Sequence, residues 1–183
     1  MPYTALIQKC LEDNPVAQKE LYKLLAGKLF AICLRYTKNR QEAEDWLQDA
    51  FVKIFINLDK FKNEGSFEGW AKRITVNHLI TEYRKSKRFG SVSDLDSVLE
   101  ISETQESAHS VLLYEELIKF INLLPERKKL IFNLSVLEGY SHKEISELLN
   151  ITEGASRGQL AKAREMLIEI HKKNNTVHAG KIY

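Results

Sequence analysis

The chain has 183 residues, of which 44% are hydrophobic, with 27 Lys and Arg against 25 Asp and Glu. That length allows one or two domains with real apolar cores, and the formal charge of +2 excludes a polycation. No apolar run reaches the roughly 18 residues a membrane span needs, and the N-terminus lacks the charged and apolar regions of a signal peptide.

Charge is unevenly placed. Residues 1–88 carry 16 Lys and Arg against 11 Asp and Glu, residues 89–111 carry five acids and no base, and the remainder is mildly basic. Two basic blocks joined by an acidic strip predict two domains and a linker. Strand signals are nearly absent and helical periodicity dominates, so the expected fold class is all-α: two small helical domains joined by an acidic flexible linker. The expected boundaries are a first domain over 1–88, a linker over 89–111, a second domain over 112–172 and a polar tail over 173–183.

The first helix signal is Asn14-Pro15, a cap followed by a first-turn proline. Leu21, Leu25, Leu29, Ile32 and Tyr36 then recur at helical spacing. Asn39 and Glu42 have cap spacing for a second helix, whose apolar stripe is Leu47, Ala50, Ile54 and Leu58. Asp45, Gln48 and Asp49 share another face, with Phe51 and Phe55 further along. Carboxylates and an amide beside exposed aromatics suit docking on a basic helical partner; a solvated acidic face near a helix N-terminus is the plainer reading.

Residues 61–66 read as a loop, and Ser66 can cap a third helix through Phe67, Trp70, Ile74 and Leu79 to about Lys87. Phe61, Phe67 and Trp70 are interleaved with Lys62, Asn63 and Ser66. Such a mixture can stack unpaired bases and bond their edges. Trp70 and at least one Phe are expected in the core, which leaves the polar members as the base-contact candidates. Arg73 and Asn77 lie one turn apart, and Arg84, Lys85, Lys87 and Arg88 follow at the helix end. A cluster of that kind binds phosphates, or simply complements a helix C-terminus.

Helices are expected to resume near Leu112, with a break at Leu124-Pro125 and a stop at Gly139. Ser141 and Glu144 form a capping-box pattern, and Ile145, Leu148 and Leu149 give that helix an apolar face. Asn150 falls where a tight turn needs a left-handed residue, Ile151 is expected to point back into the core, and Thr152 caps a basic helix bearing Arg157, Lys162 and Arg164. Two helices around a tight turn, the second one basic, suit a DNA major groove, although an ordinary helical hairpin has the same outline. After His171 the tail is polar and expected to fray.

Catalytic patterns are missing. The five histidines are dispersed, Cys10 and Cys33 have no partner ligands, and no phosphate loop or nucleophile motif occurs. Two reduced, buried thiols in a cytoplasmic protein that is not an enzyme and uses no metal or small-molecule cofactor are the expectation.

In this order, the pieces resemble the small two-domain bacterial RNA polymerase sigma factors of the extracytoplasmic-function (ECF) group, over about Leu21 to Ile170. The run from Glu42 to Phe51 is similar to the family's polymerase-docking helix, and Phe67 to Arg73 with Asn77 to its element for the −10 promoter region. Leu124 to Arg127, then Glu138 to Ser141 and Glu144-Ile145, are similar to the start of its −35-reading domain.

The resemblance implies that Asp45, Gln48, Asp49 and Phe51 contact core RNA polymerase. It implies that Lys62, Asn63 and Ser66 lie in the loop that captures a flipped −10 base, with Arg73 and Asn77 on the same strand and Arg84, Lys85, Lys87 and Arg88 on the duplex upstream. Glu153, Arg157, Gly158, Ala161 and Lys162 fall at the −35 recognition positions. The implied partners are core polymerase, promoter DNA and an anti-sigma factor, with no insertion into a membrane. The recognition run departs from the usual pattern in being small and weakly basic: Gly158 costs about 1 kcal/mol of helix propensity relative to Ala, so close backbone approach or shape reading is expected there. The alternative is a stand-alone helix-turn-helix transcriptional regulator whose first domain senses or dimerises.

Overall fold

The structure is a computed structural model that describes residues 3–37, 39–89 and 117–179, with the side chains of 86–89 and 175–179 left aside. The expected linker therefore lies outside the described residues apart from Phe89, which is the last residue of a helix. The described residues are helical, without a strand. They form two compact units, one from each half of the chain.

In the N-terminal unit α1 spans Thr4–Leu11. Asp13, in a left-handed conformation at φ 56°, turns the chain into α2 (Pro15–Tyr36). The Asn14 side chain accepts from the amides of Val16 and Ala17, so the Asn-Pro signal works as a cap. α3 (Arg40–Ile56) begins with the Asn39 side chain accepting from the Glu42 amide at 2.8 Å. A 3₁₀ turn (Leu58–Lys60) and a loop lead to α4 (Phe67–Phe89). α3 packs against both α2 and α4, and α1 against α2 and the 3₁₀ turn. Leu21, Leu25, Leu29, Leu47, Ala50, Ile54 and Leu58 are all buried, at the expected positions. Each fully buried Leu or Ile contributes about 1.5–3 kcal/mol of hydrophobic burial. Cys10 and Cys33 are buried free thiols in this core. Burial pushes the Cys33 thiol up to about 12.

Three details of this unit differ from the sequence expectation. α1 had no capping signal, and its Tyr3 N-cap makes no side-chain cap bond. Phe51 is not an exposed aromatic: it is 3% exposed, and its ring lies 4.4 Å from that of Tyr22. On α4 the buried positions include Phe67, Ala71, Thr75, Val76, Leu79 and Ile80, whereas Trp70 and Ile74 are only half-buried. The helix is thus rotated from the expected phase, and Trp70 leaves the core for the face that carries Arg73 and Asn77.

In the C-terminal unit residues 117–122 form α5. α6 (Glu126–Phe132) starts at Pro125 and runs into a π-helical turn (Asn133–Leu137). Gly139 then reverses the chain at φ 77°, a conformation that costs a glycine little. α7 spans His142–Leu149 and α8 Glu153–Ala179. α8 packs on α6 and α7 over a core that includes Ile121, Leu130, Ile131, Leu134, Ile145, Leu160 and Ala163. Ile151 is half-buried at the turn rather than a core residue. The tail is a second correction. α8 continues past His171 to Ala179, because extending a formed helix by one residue is far easier than starting one.

Candidate nucleic-acid and polymerase interface

Asp45, Gln48 and Asp49 are all exposed on α3. Gln41 donates to an Asp45 carboxylate oxygen at 3.2 Å, which steadies that side chain. The same helix exposes Val52 (55%) and Ile56 (70%) at continuing three- and four-residue steps. Acid and bare aliphatic surface therefore share one stripe. The apolar members of this face were not among the sequence candidates, which were the aromatics Phe51 and Phe55. Spacing from Asp45 through Asp49 and Val52 to Ile56 is the signal that finds them.

Behind Asp49 sits His78 of α4, 4% exposed. Its ring nitrogens lie 3.7 Å from Asp49 and 3.8 Å from Glu82, and neither is within a hydrogen bond of a partner. Burial lowers its pKa first and Lys53 adds to that, while Glu82 and Asp49 oppose it and Lys85 lowers it further.

Lys62, Asn63 and Ser66 are exposed in the loop before α4. Two left-handed residues, Asn63 at φ 56° and Gly65 at φ 88°, give the loop its tight path. The Ser66 hydroxyl accepts from the Gly69 amide at 3.3 Å, a long cap bond that starts α4. Beside the loop the rings of Phe61, Phe67 and Trp70 form a cluster with centroids 5.1–5.5 Å apart. A cavity of about 360 Å³ opens here, lined by Asn63, Ser66, Phe61 and Phe67 together with Tyr3 and Glu68. An adjoining groove of about 390 Å³ holds Trp70, Asn77, Thr81 and His78, with Lys53, Asn57 and Lys60 from the end of α3 and the 3₁₀ turn. Those last three were not candidates from sequence, since nothing along the chain marks them as neighbours of α4. Arg73 and Asn77 are exposed on α4, as are Arg84 and Lys85 nearer its end. The side chains of Lys87 and Arg88 lie outside the described residues.

The second unit presents a helix-turn-helix. The Ser141 hydroxyl accepts from the Glu144 amide, and Glu144 accepts from the Ser141 amide at 2.9 Å, a full capping box. Asn150 ends α7 at φ 53°. The Thr152 hydroxyl accepts from the Ala155 amide at 3.1 Å at the start of α8. His142 of α7 and the buried Ser156 of α8 are joined by a 2.9 Å hydrogen bond that pins the two helices together. With Ser156, Leu160 and Ala163 turned inward, Arg157, Gly158, Ala161 and Lys162 are left exposed on the opposite side. Glu153 is half-buried and ion-paired with Arg157. At Gly158 an added Cβ would meet nothing in the protein within 4 Å.

Among the described residues no cluster of His, Cys, Asp or Glu could hold a metal ion, and no helix is long and apolar enough to cross a membrane. An exposed acidic helix face and an aromatic-lined cavity in one helical unit, with a helix-turn-helix in the other, are together features of a two-part DNA-reading transcription protein. Known proteins narrow this further. The model for Sigma-70 region 2 matches residues 21–89, and that for Sigma-70 region 4 matches residues 114–167, about two thirds of the chain together. The ECF RNA polymerase sigma factor SigM of Bacillus subtilis is 28% identical over 149 residues, which cover 81% of this chain and 91% of the relative. The ECF RNA polymerase sigma-E factor of Escherichia coli is 27% identical, covering 88% of this chain and 90% of the relative. Among solved structures, the fold is similar to that of the sigma factor RpoE in complex with the anti-sigma factor NepR from Bartonella quintana. The TM-score is 0.57 at 23% identity, covering 84% of this chain and 96% of that one. The chain belongs to the sigma-70 family of RNA polymerase sigma factors, in its ECF group.

Proposed function

We propose that residues 1–88 form the unit that holds core RNA polymerase and opens the −10 region, that 89–111 link it to the next, and that 112–172 read the −35 region, with 173–183 as a tail. Asp45, Gln48 and Asp49 make the polar contacts to polymerase, and Val52 and Ile56 the apolar ones. Asn63 and Ser66 bond the edge of an unpaired −10 base and Lys62 neutralises a phosphate beside it. Arg73 and Asn77 follow the same strand, and Arg84, Lys85, Lys87 and Arg88 hold the duplex upstream. Glu153, Arg157, Gly158, Ala161 and Lys162 face the −35 major groove. The protein acts in the cytoplasm as a specificity subunit, without catalytic chemistry, metal or cofactor of its own. An anti-sigma factor keeps it inactive by covering the polymerase face.

The observation that carries this reading is the single exposed stripe of α3, where Asp45, Gln48 and Asp49 run on into Val52 and Ile56. A lone regulator has no use for such a face, and the match of residues 21–89 to region 2 also disfavours that alternative. The test is charge reversal. Asp45→Lys with Asp49→Lys should abolish co-purification with core polymerase while leaving the helical thermal transition in place, because both side chains are exposed. Undiminished co-purification sinks the assignment.

A further inference from the structure

The cavity beside the loop is not built from the loop and α4 alone. Tyr3 and Thr4 line it as well, and both precede the residues that match the family. We infer that Tyr3 is a wall of the base-capture cavity and helps determine which unpaired base it accepts, an inference that rests on the base-capture reading of residues 61–66.

Three observations support it. The Tyr3 ring lies 5.3 Å from that of Phe67 at an interplanar angle of 42°, which extends the aromatic cluster into the cavity from a segment remote in sequence. The Tyr3 hydroxyl donates to a Glu68 carboxylate oxygen at 2.6 Å, and Lys28 of α2 donates to both oxygens of the same carboxylate at 2.8 Å. The ring is therefore held at its hydroxyl by an ion-paired carboxylate and along its body by a tilted contact with Phe67. α1 is anchored in turn by the buried Ile7 and Cys10. The bond to Glu68, with burial and the carboxylate's charge, pushes the Tyr3 phenol up to about 12, so it stays a neutral donor at any working pH. The Lys28 and Tyr3 bonds in turn hold the Glu68 carboxyl below its ordinary range.

An aromatic wall acts on an occupant mainly through its face. Base–aromatic stacking contributes about 1–3 kcal/mol per base. The cost of losing Tyr3 should therefore appear only when a base is present to be stacked.

The experiment uses the full chain bound to core polymerase. A promoter is first obtained by run-off transcription from a genomic library. An abasic scan through the unpaired part of the −10 element of a fork-junction DNA then finds the position where base removal costs the wild type most. At that position Tyr3→Ala should weaken binding about tenfold with the base present and less than about twofold with the abasic DNA. Tyr3→Leu, which keeps an apolar contact with Phe67, is carried alongside so that a folding defect in Tyr3→Ala leaves the comparison intact. Equal losses on the two DNAs, or no loss on either, overturn the role of Tyr3. Asn63→Ala separates the two levels. If the abasic scan and Asn63→Ala both weaken binding while the Tyr3 variants do not, base capture stands and the wall fails. If no abasic position weakens the wild type, base capture fails and the wall goes with it.

Discussion

The two units aim their candidate DNA-facing residues by different means. In the C-terminal unit the aiming devices lie within one short stretch: the Ser141–Glu144 capping box, left-handed Asn150, the Thr152 cap and the His142–Ser156 bond. In the N-terminal unit the candidate base cavity draws on Tyr3, on residues 61–66 and on the first turn of α4, with Lys28 of α2 holding Glu68 in place. The first arrangement is specified by neighbours in sequence. The second exists only once three helices have packed. A local device can be read from residue types and spacing, whereas a cavity assembled from distant stretches depends on the rotation of each helix about its axis.

The largest effect expected from a single core deletion is at Leu134, fully buried at the π-helical turn between α6 and the helix-turn-helix. Its carbonyl also accepts from the Tyr140 amide at 2.9 Å, so the residue links the core to the chain reversal at Gly139. Leu134→Ala should cost about 2–5 kcal/mol. The thermal melt of the C-terminal unit followed by circular dichroism measures the cost, and duplex −35 binding should fall with it. Tryptophan fluorescence offers an internal contrast, because Trp46 and Trp70 both belong to the N-terminal unit. An unaltered melt would mean that the local devices hold the turn without its core, and the contrast drawn above would be wrong.

The same contrast explains what could be read in advance. The helix-turn-helix was legible because its caps at Ser141 and Thr152 have side-chain signatures within three residues of the backbone groups they satisfy; the His142–Ser156 bond, which spans 14 residues, was not. The caps at Asn14 and Asn39 were legible for the same reason. Phe51 adjoins the acidic run in sequence, but its four-residue step from Leu47 puts it on the buried stripe. Trp70 was misplaced because Phe67 fits either of two phases of α4, and only packing against α2 and α3 selects the one that buries Ala71 and Thr75. α1 lacked a cap signature and has Ile7 and Cys10 as its buried residues, too little periodicity to register. Lys53, Asn57 and Lys60 join Trp70 and Asn77 in one groove through tertiary structure alone.

A smaller effect, confined to acid conditions, is expected at His78, the point where the acidic helix α3 and the groove meet. Asp49 and Lys53 face it from α3, and Glu82 and Lys85 from its own helix. Its pKa is lowered in the folded protein, chiefly by burial. The unfolded chain then binds the proton more readily than the folded one. The contribution to stability is fully present above the ordinary histidine value of about 6.5 and is lost as pH falls through the depressed folded value. Denaturation followed by tryptophan fluorescence should show this acid limb in the wild type, and His78→Gln should flatten it. An identical limb in both proteins would place the acid sensitivity elsewhere.

The smallest effect in stability, though informative about function, is at Gly158. It lies in the exposed part of α8 between Arg157 and Ala161, and an added methyl group would touch nothing in the protein. Gly158→Ala should therefore stabilise the C-terminal unit by roughly 0.8–1 kcal/mol through helix propensity alone. The duplex is the remaining candidate to need the bare backbone. If α8 approaches the −35 groove closely at this position, the more stable variant binds −35 duplex more weakly, and run-off transcription from a two-element promoter falls while −10 fork binding does not. Stability and binding moving in opposite directions identify Gly158 as a contact made by the backbone itself. If both rise together, the glycine is only a weak point in the helix, and recognition rests on Arg157 and Lys162.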